Sequence, residues 1–88
     1  MPRIITFHFS PEARVPALTS EQCREIRARF DHIISGYQDV IFHGVFVGDD
    51  GRGICEWDAP DVAVVTEIIT RADGHPPVDG AVEVRKLL

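Results

Sequence analysis

The pattern of apolar and polar positions is most regular in residues 40–58. Two runs rich in β-branched and aromatic side chains, residues 40–47 and 53–57, flank the dipeptide Asp50-Gly51. Asp-Gly between two such runs is a strong local signal for a β-hairpin with a two-residue turn. The sequence therefore predicts two antiparallel strands that pair across this turn.

The predicted turn also decides which side chains share a face, because successive residues of a strand point to opposite sides. In this register Val47 lies opposite Ile54, and Phe46 lies opposite Cys55. One face is then predicted to be core, and it carries Val40, Phe42, Gly44, Phe46, Cys55 and Trp57. The other face mixes apolar with ionisable groups, and we expect function there; it carries Ile41, His43, Val45, Val47, Ile54, Glu56 and Asp58.

The outer parts of the chain supply two more strands. Residues 3–9 alternate in period two, and residues 80–87 form the last run with a strand pattern. The side chains predicted to point into the core are Ile5, Phe7, Phe9, Val82 and Val84. Those predicted to share the face of His43 are Ile4, Thr6, His8, Ala81, Glu83 and Arg85.

Two amphipathic helices separate these strands. The first is predicted to begin at Thr19 and Gln22, which have capping-box spacing, and its apolar stripe is Cys23, Ile26, Phe30, Ile33 and Ile34. The second is predicted to begin within residues 58–61, with Pro60 in its first turn and a stripe of Val62, Val65, Ile68 and Ile69. Residues 10–18 contain two prolines and are predicted to be a loop.

The resulting order, β-α-β-β-α-β, predicts an α+β fold of the ferredoxin-like kind in a single domain, residues 1–88. Its four-stranded antiparallel sheet has the order 4-1-3-2, with both helices on one face. The other face is left uncovered and partly apolar, which favours a partner. We therefore expect two copies to stack these faces as a dimeric α/β barrel whose small interior holds a ligand.

Composition narrows the possible functions. The net charge of −5 disfavours nucleic-acid binding, which needs a basic surface. There is no apolar run of about 18 residues and no signal-like segment at the start, so we expect a cytoplasmic protein without a membrane partner. The two cysteines are interpreted as small buried apolar groups. A core this small also favours a homodimer.

Imidazole and carboxylate groups on the uncovered face suggest a site for a divalent metal such as nickel, iron or zinc. The candidate ligands are His43, Glu56, Asp58 and His8. The predicted register places His8 and His43 at opposite ends of the face. His8 could therefore join the site only from a second subunit or in a shifted register.

Other interpretations of these residues remain open. Asp58 has the position of a helix N-cap, and Glu56 could pair with Arg85 or with a histidine across the sheet. In an enzyme, His43 or His8 would instead move protons on a small organic substrate, because imidazole titrates near neutrality. The sequence contains no nucleotide or flavin motif and no nucleophile elbow.

Three segments resemble a family of small nickel-binding ferredoxin-like proteins, described as a domain of unknown function: LTSEQ, FHGVFVGDDGRGICEWDAPD and VDGAVEVRKL. The matching positions are His43, Cys55, Ala59, Pro60 and Asp61. FSPEAR and GDDGRGICE are also similar to a second family of small dimeric α/β-barrel proteins. The first resemblance implies a homodimer that binds a divalent metal. The alternative is a dimeric α/β-barrel enzyme of the isomerase, cyclase or monooxygenase type.

Overall fold

The computed structural model describes all 88 residues and has the predicted order of elements. Its strands and helices are β1 (Arg3–His8), α1 (Ser20–Ile34), β2 (Ile41–Val47), β3 (Gly53–Asp58), α2 (Val62–Asp73) and β4 (Ala81–Val84). The sheet is antiparallel with the order β2-β3-β1-β4, which is the predicted 4-1-3-2 arrangement read from the other edge. The ferredoxin-like α+β fold is confirmed. No helix has both the length and the apolar character needed to cross a membrane.

Local hydrogen bonds explain where the helices begin. Thr19 and Gln22 form the predicted capping box, with Gln22 N donating to Thr19 Oγ1 at 3.1 Å and Thr19 N donating to Gln22 Oε1 at 2.9 Å. The N-cap of α2 is Asp61, whose Oδ1 accepts from Val64 N at 2.9 Å. The N-cap interpretation of Asp58 is therefore wrong, since Asp58 is the last residue of β3.

The core lies between the helices and one face of the sheet, which we call the covered face. Trp57 is its centre, with its ring stacked on Phe42 at 4.3 Å between centroids. The buried core cluster is Ile4, Phe30, Phe42, Cys55, Trp57, Ala59, Val65, Ile68 and Ile69. Helix α1 buries only Phe30 fully and packs mainly against α2. Cys23, predicted for its buried stripe, is exposed.

The hairpin turn differs from the prediction. Gly48 N donates to Arg52 O at 2.8 Å, so the loop has three residues, 49–51, and Gly51 N closes it on Gly48 O at 3.1 Å. Gly51 takes the left-handed conformation (φ 84°) that such a loop needs at its third position. The register near the turn is consequently shifted by one residue from that of a two-residue turn.

This shift moves the outer half of β2 to the opposite faces of the sheet. Val45 pairs with Cys55 and belongs to the covered face, while Phe46 pairs with Ile54 on the other side, which we call the open face. A bulge between Phe42 and Gly44 then returns Phe42 to the core opposite Trp57. Gly44 supplies the positive φ of 135° at the irregularity. The predicted faces were therefore wrong for residues 44–47 and right for Phe42.

The predicted faces of β1 and β4 are reversed in the structure. Ile4 pairs with Trp57 and Thr6 pairs with Cys55, so the alternate residues of β1 that include His8 lie on the covered face. The open face instead carries Ile5, Phe7, Val82 and Val84, while Ala81 and Glu83 lie on the covered face. The alternation of β1 favoured the wrong side, because Ile5 and Phe7 are apolar whereas the side that faces the core carries the polar Thr6 and His8. Which side of β1 is buried follows from its pairing with β3, where Ile4 lies opposite the buried Trp57.

Candidate functional site

Four charged or titratable side chains meet on the open face, and we call them the open-face cluster: Arg3, His43, Glu56 and Asp58. Arg3 lies between the two carboxylates, 2.8 Å from Asp58 Oδ1 and 3.2 Å from Glu56 Oε2. His43 Nε2 lies 3.0 Å from Asp58 Oδ2. Glu56 thus forms its ion pair with Arg3. The pairing of Glu56 with Arg85, which the sequence had suggested, is not formed.

The cluster favours the charged form of Asp58. The pKa of Asp58 is lowered, first by the hydrogen bond from Arg3 and then by the one from His43. The same contact raises the pKa of Arg3. Both carboxylates therefore already have a permanent cation as their partner.

The donors on the open face do not form a metal site in this structure. Three of the four predicted ligands belong to the open-face cluster, but Arg3 occupies oxygens that a metal would need. The fourth, His8, lies on the covered face. No group of three His, Cys, Asp or Glu side chains is placed to hold a metal ion. Binding of nickel, iron or zinc stays a prediction.

A second site lies under the covered face. A cavity of about 300 Å³, which we call the covered cavity, opens between the sheet, α1, the loop of residues 10–18 and the segment after α2. Helix α1 contacts β2 at Phe42 through Arg27 and Phe30, and the cavity extends from this contact toward Val45, which is half-exposed. The rim of the cavity includes the exposed side chains Glu12, Arg14, Asp73 and His75. Leu18 and Val45 are exposed apolar side chains at its edge. Its inner wall is mostly apolar and includes Val15, Ile26, Phe30, Phe42 and Ile69.

A histidine and a cysteine contact each other in the wall of this cavity. His8 Nδ1 lies 2.8 Å from the carbonyl oxygen of Ala13, and Nε2 lies 3.0 Å from Cys55 Sγ. A carbonyl oxygen only accepts, so Nδ1 carries a hydrogen, and in the neutral imidazole Nε2 then presents its lone pair. The thiol of Cys55 therefore donates to His8.

The surroundings of Cys55 hold this thiol in its neutral form. Burial raises the pKa of Cys55 to about 11. Cys55 thus takes part in the contact with His8 as a thiol. The contact is not a thiolate–imidazolium ion pair of the kind found where cysteine pKa values are low.

Two further polar atoms in the wall lack a well-formed hydrogen bond. Trp57 Nε1 is buried and makes no hydrogen bond, and Thr6 Oγ1 makes no well-formed one, although its contact with the Cys55 thiol lowers the pKa of that thiol. Both residues line the covered cavity. Thr6 is 1% exposed and Trp57 is 0% exposed. Buried polar groups are nearly always hydrogen-bonded. Both residues are fully shielded from solvent, so a bound molecule would reach these atoms only where neighbouring side chains move aside.

Comparisons with protein-family models, with curated proteins and with solved structures return no match. The geometry of the two sites therefore carries the functional argument.

Sequence reasoning missed the covered cavity and the roles of Thr6, Cys55 and Trp57 in its wall. One signal for it was present. Thr6 and His8 alternate with apolar residues in β1, so two polar side chains share one face of a central strand. Their position opposite Cys55 depends on the pairing of β1 with β3, which the local pattern does not show.

Proposed function

We propose that this protein binds a small organic molecule in the covered cavity. The observation that carries this proposal is the covered cavity itself, whose mostly apolar inner wall contains the contacting pair His8 and Cys55 and the buried groups Thr6 Oγ1 and Trp57 Nε1. Binding sites for small molecules are typically concave and apolar, with a few polar groups that fix the orientation of the ligand. The volume, about 300 Å³, lies at the lower end of the usual range.

The wall also indicates the chemistry of the ligand. An indole nitrogen only donates a hydrogen bond, so the ligand must supply an acceptor oxygen to Trp57, and the hydroxyl of Thr6 can serve the same oxygen. Phe30, Phe42 and Ile69 offer apolar surface to the remainder of the molecule. We expect a small neutral compound with one carbonyl or hydroxyl group. The enzyme alternative is supported by His8, which was a candidate for proton transfer and lies in this wall.

The fluorescence of Trp57 tests the proposal directly, because it is the only tryptophan in the chain. The probes are 2-hexanone and 1-hexanol, with n-hexane as the probe that lacks an oxygen. We expect saturable changes in Trp57 fluorescence with the oxygen-bearing probes and binding at least about tenfold weaker with n-hexane, the effect of one hydrogen bond of about 1.4 kcal/mol.

Two matched variants distinguish binding in the covered cavity from binding to apolar surface elsewhere on the protein. Val45→Phe adds volume to the cavity wall and should abolish the response, whereas Val82→Phe on the open face should leave it unchanged. An equal response in both variants, or no response to any probe in the parent protein, would contradict the proposal.

The metal-binding homodimer is the second candidate function. It is supported by the contact between His43 and Asp58 and by the apolar side chains exposed around it on the open face. We propose that two copies stack their open faces and that a divalent metal binds beside His43. Binding would require Arg3 to release Asp58.

Titration with nickel or zinc tests this second candidate. It predicts one metal per subunit in the parent protein and an affinity reduced at least about tenfold in His43→Ala. His32→Ala, which removes an exposed imidazole of α1, is the matched control and should bind as the parent does. A titration without saturable binding would rule out the metal site and leave the covered cavity unaffected.

A further inference from the structure

Binding of a neutral ligand does not need a histidine in hydrogen-bond contact with a cysteine, as His8 and Cys55 are in the wall of the covered cavity. We propose that Cys55 is a nucleophile in the covered cavity, with His8 as its base, and that it accepts the acyl group of a small neutral ester or thioester. This inference rests on the proposed function, because the substrate must enter the same cavity.

The geometry has the three parts that an activated thiol needs. The nucleophile and its base are in hydrogen-bond contact, with Cys55 Sγ 3.0 Å from His8 Nε2. The base is oriented by a third group, since the carbonyl of Ala13 accepts from Nδ1 at 2.8 Å and fixes the tautomer. A nucleophile, a base and a group that orients the base are the shared signature of nucleophilic catalysis on unrelated folds.

The reaction balances with these groups alone. Cys55 Sγ forms a bond to the carbonyl carbon of the ester, and the thiol proton passes to His8 Nε2. The bond from that carbon to the leaving oxygen or sulfur then breaks, and the leaving group takes the proton from Nε2. Water attacks the resulting S-acyl group by the same route, gives one proton to Nε2, releases a carboxylic acid, and Cys55 recovers its proton from Nε2.

The buried polar groups in the wall suit the charge that forms during this reaction. The carbonyl oxygen becomes an oxyanion, and such an oxygen is stabilised by hydrogen-bond donors that are already in place. Thr6 lies opposite Cys55 in the pairing of β1 with β3, and Trp57 Nε1 has no protein partner, so both are buried donors beside the site where this charge forms. If Cys55 only packs in the core, Trp57 and Thr6 have no oxyanion to stabilise.

The charge distribution selects the substrate. The charged side chains of the cavity, Glu12, Arg14 and Asp73, are exposed residues of its rim, while Phe30, Phe42 and Ile69 form part of the inner wall. A charged acyl group would have to leave water without a partner. Short neutral acyl groups are therefore the expected substrates.

The protonated thiol predicts a distinctive pH profile. Because burial keeps the pKa of Cys55 at about 11, attack without a base would become faster continuously as pH rises toward that value. Attack assisted by His8 instead reaches a plateau once the imidazole is neutral. The dependence of the acylation rate on pH therefore shows whether His8 acts as the base, without any substitution in the cavity.

The test uses the full chain with Cys23→Ser, which removes the exposed thiol and leaves Cys55 as the only cysteine. The probe is p-nitrophenyl acetate. We measure release of p-nitrophenolate and, by mass spectrometry of the intact protein, transfer of one acetyl group to Cys55. We expect acetylation with a plateau in its pH profile, and a rate about 100-fold lower in His8→Gln at neutral pH.

Each outcome decides the inference. No acetyl group on Cys55, an equal rate in His8→Gln, or a rate that rises without a plateau toward about pH 11 would overturn it. If His8→Gln does not fold, the pH profile of the parent decides. Binding of 2-hexanone to Cys55→Ser is measured in parallel. If the probe binds and Cys55 is not acetylated, the cavity is a binding site only; if the probe does not bind, the proposed function fails as well.

Discussion

The hydroxyl of Thr6 is buried in a central strand, where it contacts the thiol of Cys55 but makes no well-formed hydrogen bond, which destabilises the folded protein unless a ligand uses it. A buried unsatisfied polar group costs about 1–3 kcal/mol. Thr6→Val replaces the hydroxyl by a methyl group of similar shape. We expect the free energy of unfolding to rise by about 1 kcal/mol and the affinity for 2-hexanone to fall.

Urea unfolding and the fluorescence of Trp57 measure the two effects of Thr6→Val separately. The control is Thr70→Val, because the hydroxyl of Thr70 is exposed and donates to Thr66 O at 2.7 Å. This control should bring no gain in stability and no change in affinity. A Thr6→Val protein that is less stable but binds as well as the parent would show that the hydroxyl has no role in the cavity.

The sequence predicted single side chains well where the outcome depends on near neighbours. The hairpin pattern predicted that His43 lies close to Asp58, and His43 Nε2 is 3.0 Å from Asp58 Oδ2. His8 was predicted on the same face and lies on the opposite one. Its position depends on the pairing of β1 with β3, which is remote in sequence, and the local pattern of β1 favoured the opposite side because Thr6 and His8 are polar.

At the scale of elements, the hairpin shows that one additional residue in the turn moves the side chains of a strand to the opposite face of the sheet. The Asp50-Gly51 signal correctly predicted a hairpin, but the loop includes Asp49 as well. Asp50 accepts from Arg52 N at 3.0 Å and Gly51 has a φ of 84°. Asp-Gly is compatible with either loop length, so the register, and with it the placement of Val45, could not be decided from the dipeptide.

The hairpin also has a position where only glycine fits. A Cβ atom at Gly53 would overlap the carbonyl oxygen of Phe46, whereas one at Gly48 would meet Arg52 O at an ordinary distance of 3.6 Å. We expect Gly53→Ala to lower the free energy of unfolding by roughly 1–3 kcal/mol, because the strands must move apart. Gly48→Ala is the matched control in the same hairpin and should change stability much less. Equal losses in urea unfolding would show that the close strand contact is not responsible.

The loop of residues 10–18, which forms part of the covered cavity, is held at its start by a carboxylate. Asp79 Oδ2 accepts from Phe9 N at 2.6 Å and from Ser10 N at 2.8 Å. Hydrogen bonds from Ser10 and Phe9 lower the pKa of Asp79 in the folded protein. The stabilisation is therefore present above the ordinary carboxyl pKa, which is about 4, and is lost as pH falls through the lowered folded value.

Replacing Asp79 by asparagine tests this tether. We expect Asp79→Asn to melt at a lower temperature at pH 7 and to lose less of its remaining stability than the parent when acidified from about pH 5 to pH 2. Asp49→Asn, in the exposed hairpin loop, is the control and should follow the parent. Thermal melts that keep the acid sensitivity of the parent in Asp79→Asn would assign that sensitivity to other carboxylates.

At the scale of the whole molecule, element order was enough to predict the sheet. Two amphipathic helices and four strands in the order β-α-β-β-α-β have few ways to bury their apolar faces, and the structure has the predicted strand order. The covered cavity was not predictable in the same way. It depends on where α1 packs against α2 and how far it lies from the sheet, which the apolar stripe of α1 does not specify.

The small core and the open face together favour association of two copies. Only 11 of 88 residues are buried, so a lone chain has little apolar burial for its stability. The open face exposes Ile41 by 53%, Phe46 by 54% and Val82 by 42%. We therefore expect a dimer through this face, and Phe46 replaces Val45 as the position that tests it, because Val45 lies on the covered face.

A charge at Phe46 should dissociate this dimer. Loss of a central aromatic contact costs about 2 kcal/mol or more, so Phe46→Asp should weaken association by about thirtyfold or more in sedimentation experiments. The control is Gln38→Asp, which introduces the same charge at an exposed position outside the sheet. Arg27 is unsuitable, since it donates to Phe42 O at 3.1 Å and stacks on the Phe42 ring. A parent protein that sediments as a monomer at micromolar concentration would remove the dimer and the metal-binding candidate, but the covered cavity lies within one subunit and would remain.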